Sequence, residues 1–176
     1  MARITLIDAD ADPTLHDLAE RIKGQRRGSV INVYKALLHN PALAESWFQH
    51  INAVRWGTEL GGRLREILII RVAHLTGCDY ILRQHAAGLA EAEGLPQGQC
   101  DALANWRETP HFTAPERAAL AFADAMTERI EVPDGVFAPL GEHFSERQIL
   151  ELAVLIASYN MHARVLRALE VDLEPG

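Results

Sequence analysis

A thiol, an imidazole and a carboxylate fall within one short stretch, residues 61–94, GGRLREILIIRVAHLTGCDYILRQHAAGLAEAEG. Cys78 follows Gly77, and glycine takes the left-handed geometry that closes a helix. Cys78 therefore falls at or near the first turn of the next helix, where unpaired N–H groups and the helix dipole stabilise a thiolate. His85 lies two turns further along, offset by only about 20° at 3.6 residues per turn. Glu66 stands in a run that is apolar almost all the way round: Leu64, Ile67, Leu68, Ile69, Ile70, Val72, Ala73 and Leu75. A carboxylate there is costly unless it is paired or protonated. Together the three suit either nucleophilic thiol chemistry or proton transfer.

Each residue also has an ordinary explanation. Free cysteine is among the most often buried residue types. A single helical histidine is usually a satisfied or half-exposed side chain. Glu66 has Arg63, Arg65 and Arg71 nearby in sequence as simple ion-pair partners. Joint spacing is what points to a site. Glu66, eleven intervening residues, Cys78, and then His85 resembles the carboxymuconolactone decarboxylase/alkylhydroperoxidase AhpD-like superfamily, whose redox branch carries Glu-x11-Cys-x2-Cys-x3-His. Ile81 occupies the place of the second cysteine, so that pair is broken here. Tyr80 lies between the two positions, where the family can carry a further proton-relay residue.

The resemblance implies an all-α fold, an AhpD-like bundle of helices, assembled as a homotrimer or homohexamer. It also implies a small-molecule substrate and no cofactor. In the redox reading, Cys78 attacks a hydroperoxide, His85 and Glu66 move protons, and an external thiol restores the enzyme. Peroxiredoxin-like antioxidant activity is the first expectation. In the decarboxylase reading, His85 is general acid or base toward a carboxylated lactone from aromatic degradation, with Arg65, Arg71 and Arg83 as candidates to clamp the anion. Glu66, its pKa raised by burial, is then the partner of His85. A third reading keeps the fold as a non-catalytic oligomeric module that binds a small ligand.

The elements that must position these residues are all helical. Residues 1–28 read as a lead-in packed on the body, and 29–176 as a single all-α domain of about eight helices. Ile4, Leu6 and Ile7 dock the lead-in, and Asp12-Pro13-Thr14 starts a helix through Ile22. The cluster from Lys23 to Gly28, with Arg26 and Arg27, reads as a solvated loop. Ser29 caps a helix through His39. Asn40-Pro41 opens the next helix, expected to bury Leu43, Trp47, Phe48, Ile51 and Val54. Trp47 and Trp56 are expected to anchor the core or a subunit contact. After the motif helices, a short helix over 97–106 holds Cys100, either a passive thiol or a distant resolving one. Thr113 and Glu116 form a capping box, as do Ser145 and Gln148. A short helix over 133–141 lies between the helices that these boxes open. The last helix is nearly all apolar over 149–157, then carries Ser158, Tyr159, Asn160 and His162. Such polar groups need partners. They bond between helices, or Tyr159 and Asn160 wall the pocket that holds Glu66.

Composition removes several function classes. A formal charge of −7 is the wrong sign for nucleic acid, which requires a basic footprint. Two cysteines form no disulfide framework and fit a reducing compartment. The acids in the opening residues MARITLIDAD interrupt what would be a signal peptide's apolar run, so a cytoplasmic protein is expected. The apolar run 149–157 contains Glu151 and is too short to span a bilayer. No glycine-rich phosphate loop and no metal-ligand spacing is present.

Overall fold

The computed structural model describes residues 1–26, 28–86 and 88–174. Among these there is no strand. Their helices are α1 (His16–Gln25), α2 (Asn32–Leu37), α3 (Pro41–Trp56), α4 (Gly62–Thr76), α5 (Asp79–Ala86), α6 (Leu89–Ala92), α7 (Gln97–Ala102), α8 (Ala114–Glu128), α9 (Asp134–Phe137) and α10 (Glu146–Leu169). Short 3-10 turns at Pro13–Leu15, Leu103–Glu108 and Ala138–Glu142 lead into or extend them. The all-α expectation holds, with more and shorter helices than the eight expected. One cause is the segment between Cys78 and Gly94, whose sequence reads as one helix ended by Gly94-Leu95-Pro96: it is two, because Gly88 adopts φ +100° and breaks the helical path. Ala87, within that expected helix, lies outside the described residues.

Residues group into two compact units. The first comprises Met1–Ala53 and the end of the chain from Val165, and the second comprises Val54–Arg164. The chain passes from one to the other within α3 and returns within α10.

In the first unit the lead-in is tied by backbone bonds, Arg3 N–H to the Leu169 carbonyl at 2.8 Å and Ile7 N–H to Lys35 at 3.1 Å. Asp12 caps the first turn through Thr14 N–H, as its type and position require. Helix α1 runs past Ile22 to Gln25, so Lys23 and Gly24 are helical rather than looped. Arg26 is buried, stacked over Tyr34 and Phe48 and donating to the Tyr34 hydroxyl and Asn52 Oδ1. That overturns its reading as part of a solvated loop; Arg27 lies outside the described residues. Ser29 does not cap α2 either. Its hydroxyl turns back to the Arg26 carbonyl, and the helix starts after Ile31. Asn40 does cap α3, accepting from Leu43 N–H at 3.2 Å. Leu43 itself is 57% exposed, against expectation.

The second unit is built around α4. Ile67, Leu68, Ile69, Ile70, Val72 and Ala73 are fully buried, each isoleucine, leucine or valine side chain contributing about 1.5–3 kcal/mol. Helix α4 packs against α8 and α5, and Ile67 and Ile70 join Leu95, Leu103, Trp106, Phe112 and Leu120 in one core cluster. Both capping boxes form, at Thr113–Glu116 and at Ser145–Gln148. A buried carboxylate, Asp124 on α8, receives Arg71 Nε at 2.6 Å, Arg107 Nη1 at 2.6 Å and Trp106 Nε1 at 3.1 Å. By length and composition α10 is apolar enough to cross a membrane, and half of its most apolar window is buried.

Candidate functional site

The turn between α4 and α5 has the geometry its sequence demands. Gly77 sits at φ 59°, ψ 37°, in the left-handed region. Cys78 N–H bonds the Ala73 carbonyl at 2.9 Å and Gly77 N–H bonds His74 at 3.2 Å. This pair of bonds is the Schellman closure of a helix. Cys78 then precedes α5 directly, and its carbonyl accepts the first helical bond, from Leu82 at 3.1 Å. It is therefore the N-cap residue, 2% exposed, at the positive end of the helix dipole.

His85 stands in the last turn of α5, buried, and its Nδ1 meets Glu66 Oε2 at 2.6 Å. Glu66 is completely buried. Its other oxygen receives Arg55 Nη2 at 3.3 Å, with Arg65 Nε at 3.5 Å. Burial by itself raises the Glu66 carboxyl, but the charge and hydrogen bond of His85, then Arg55 and Arg65, outweigh it and hold the carboxyl below its ordinary value. The expectation of a carboxyl raised by burial is thereby corrected: two guanidiniums and an imidazole overcome desolvation. A carboxylate can only accept, so His85 Nδ1 donates to Glu66, and whenever the ring is neutral Nε2 is the nitrogen left to accept a proton.

The clamp has a second layer. Arg65 Nη1 donates to the Arg55 carbonyl at 2.8 Å and Nη2 to Glu93 Oε1 at 2.7 Å. The Glu93 carboxylate lies where a Cβ on Gly62 would stand, so only glycine leaves room for it in this position. Arg63, another expected partner of Glu66, pairs with Glu116 at 2.7 Å instead.

Helix α10 supplies an aromatic wall. Tyr159 meets His85 edge-on, ring centroids 5.5 Å apart, and His162 stacks on Tyr159 at 5.7 Å. Glu66, His85 and Tyr159 thus converge, and Cys78 caps the helix that carries His85. Tyr80 is buried in the first turn of α5. Asn160 is engaged elsewhere: it donates to Thr127 on α8 and to the Ile156 carbonyl, and accepts from Arg164. Ile81, at the position of the second cysteine, is 2% exposed. Cys100 is buried in the core cluster and directs its thiol to the Leu95 carbonyl at 3.7 Å. Burial, reinforced by Asp101, pushes that thiol up. It lines a cavity of about 290 Å³ with His74, Leu82, Arg83, Ala86, Gln97 and Asp101.

Two contributors escaped the sequence reading, and the role of a third, His162, is visible only in the structure. Arg55 belongs to α3, and no spacing connects it to the motif. Glu93 reaches the site only through Arg65. His162 was legible as a polar group in an apolar helix, but its stacking on Tyr159 is a tertiary fact. Among the described residues no cluster of three or more His, Cys, Asp or Glu could hold a metal.

Residues 41–125 match the carboxymuconolactone decarboxylase family. A peroxidase-related protein of Silicibacter, 26% identical, superposes with a TM-score of 0.84 over 98% of this chain and 92% of its own. A protein of unknown function from Agrobacterium tumefaciens, associated by name with AhpD antioxidant defence, is 27% identical with a TM-score of 0.74, over 83% of this chain and 98% of its own. YnjA of Escherichia coli is 29% identical over 63% of this chain, and the match spans 61% of the YnjA length.

Proposed function

Taking as premise that this chain belongs to the carboxymuconolactone decarboxylase/AhpD-like superfamily, we propose that it is a thiol-dependent hydroperoxide reductase working through Cys78. The observation that carries this reading is the buried His85–Glu66 pair at 2.6 Å on the helix that Cys78 caps. An N-cap position favours the thiolate, which is the reactive form. The Cys78 thiol passes its proton to His85 Nε2, the thiolate sulfur attacks the terminal peroxide oxygen, the O–O bond breaks, and the departing alkoxide takes that proton back from the imidazolium. Cysteine is oxidised to the sulfenic acid and the peroxide is reduced to an alcohol.

With Ile81 in place of a neighbouring thiol, the sulfenic acid condenses with an external thiol and releases water. A second external thiol then frees Cys78 and leaves as the disulfide. Cys100 does not serve as resolving thiol in this scheme, its sulfur being directed to the Leu95 carbonyl and pushed toward its protonated form. The protein works in the cytoplasm in this reading, where thiol reductants are available. It works as a homotrimer or homohexamer, and the exposed line of Leu150, Val154 and Met161 on α10 supports burial against a second copy.

One observation favours acid–base decarboxylation or isomerisation of a carboxylated lactone instead: the second thiol position is a buried isoleucine. Against it, Arg65 and Arg71 are already bonded within the protein, leaving the exposed Arg83 as the remaining candidate to clamp a substrate carboxylate. A peroxide-reduction assay with a small dithiol decides between the two. Cys78→Ser abolishes turnover, His85→Ala lowers it, and Cys100→Ser spares it. Intact peroxide reduction in Cys78→Ser overturns the proposal.

A further inference from the structure

We propose that Arg55 is a positioning residue: with Arg65 it fixes Glu66 as the carboxylate that holds the His85 Nδ1 proton, so that Nε2 is presented as the working nitrogen. The inference rests on His85 being the acid–base group, which the thiol and decarboxylase readings share. It does not depend on which reaction follows.

Geometry gives each group one task. Glu66 Oε2 is committed to His85 and Oε1 to the two guanidiniums. A carboxylate bonded in this way is an orienting group, not a proton carrier. Arg55 comes from the last turn of α3, and its carbonyl also anchors Arg65 Nη1. Arg65 is in turn shared with Glu93, so the clamp carries a balance of charge that can be altered from outside.

Among the described residues, titratable and charged groups face the pair from several helices. Arg55 faces it from α3 and Arg65 from α4. Cys78 starts the same helix as His85, and Tyr159 and His162 stand along α10. Cys100, from α7, feels the Glu66 charge, and Glu93, just after α6, acts through Arg65. Removing a positive member makes the His85–Glu66 pair hold its proton to higher pH, and removing a negative member does the reverse. A residue with only a packing role does not produce opposite signs.

The test uses the full chain labelled with ¹⁵N-histidine, read by long-range ¹H–¹⁵N spectra, with His85 assigned from its loss in His85→Gln. In the parent protein His85 shows the Nδ1–H tautomer. Arg55→Met moves the His85 titration midpoint upward by about one pH unit, Arg55→Lys restores it, and Glu93→Gln moves it downward. Should Arg55→Met fail to fold, Glu93→Gln carries the test, since the Glu93 side chain is 41% exposed and tolerates replacement. An unchanged midpoint in the folded variants, or shifts of the same sign, overturns the proposal. Repeating the titration in Cys78→Ser separates this result from the fate of the thiol reading, because the shifts persist there whether or not the chain reduces peroxides.

Discussion

His85 Nδ1 and Glu66 Oε2 stand 2.6 Å apart, with Glu66 wholly shut off from solvent. The carboxyl is held below its ordinary 4.5 in the folded chain, so folding favours its charged form. That contribution to stability is fully present above pH 4.5 and is lost as pH falls through the lower folded value. Glu66→Gln removes the carboxylate faced by the half-buried Arg55 and by the buried Arg65, leaving Arg65 only its Glu93 partner, and costs about 3–5 kcal/mol at neutral pH. Urea unfolding of both proteins from pH 7 downward checks this. The gap between them narrows below pH 4.5, and a constant gap contradicts the assignment of charge.

Gly77 holds φ 59° at the end of α4. Alanine there costs about 1–2 kcal/mol, because a Cβ meets the following carbonyl in the left-handed region. Asparagine costs less. Urea midpoints of Gly77→Ala and Gly77→Asn establish the order. Equal stability of parent and alanine variant would show that the turn relaxes to another geometry.

Asp124 anchors Arg71, Arg107 and Trp106 beneath the 3-10 turn at Leu103–Glu108. Asp124→Ala strands the buried Arg71 and is expected to cost about 3–5 kcal/mol. Asp124→Asn retains hydrogen bonding without charge and costs less. Thermal unfolding separates the pair, and a neutral Asp124→Ala would mean that the carbonyls of Leu103 and Ala104 suffice for Arg71.

Much of this architecture was legible in the sequence because its causes are local. The capping boxes at Thr113 and Ser145, the Asn40 cap and the glycine at position 77 are decided by a few neighbouring residues. The apolar run of α4 announced its burial, and the spacing of Cys78 and His85 placed both on one helix. Other features depend on distant partners. Arg26 looked like a loop cation, but Tyr34, Phe48 and Asn52 bury it. The direction of the Glu66 shift could not be read from an apolar run, because Arg55 and His85 set it from other helices. Ser29 had the right type for a cap, yet its hydroxyl found a carbonyl behind it. Local signals fix ends and faces of helices, whereas charge balance in a core is decided by tertiary neighbours.

The central claim is that Cys78 is an activated thiol, and its ionisation tests this most directly. Rates of alkylation of Cys78 against pH, in a Cys100→Ser background and read by mass spectrometry, give its pKa. An activated Cys78 titrates with a midpoint well below the ordinary thiol value of about 8.5, moving upward when His85 is replaced by alanine. A midpoint at or above that value, unmoved by His85→Ala, would contradict it and leave Cys78 a buried cap residue without thiol chemistry.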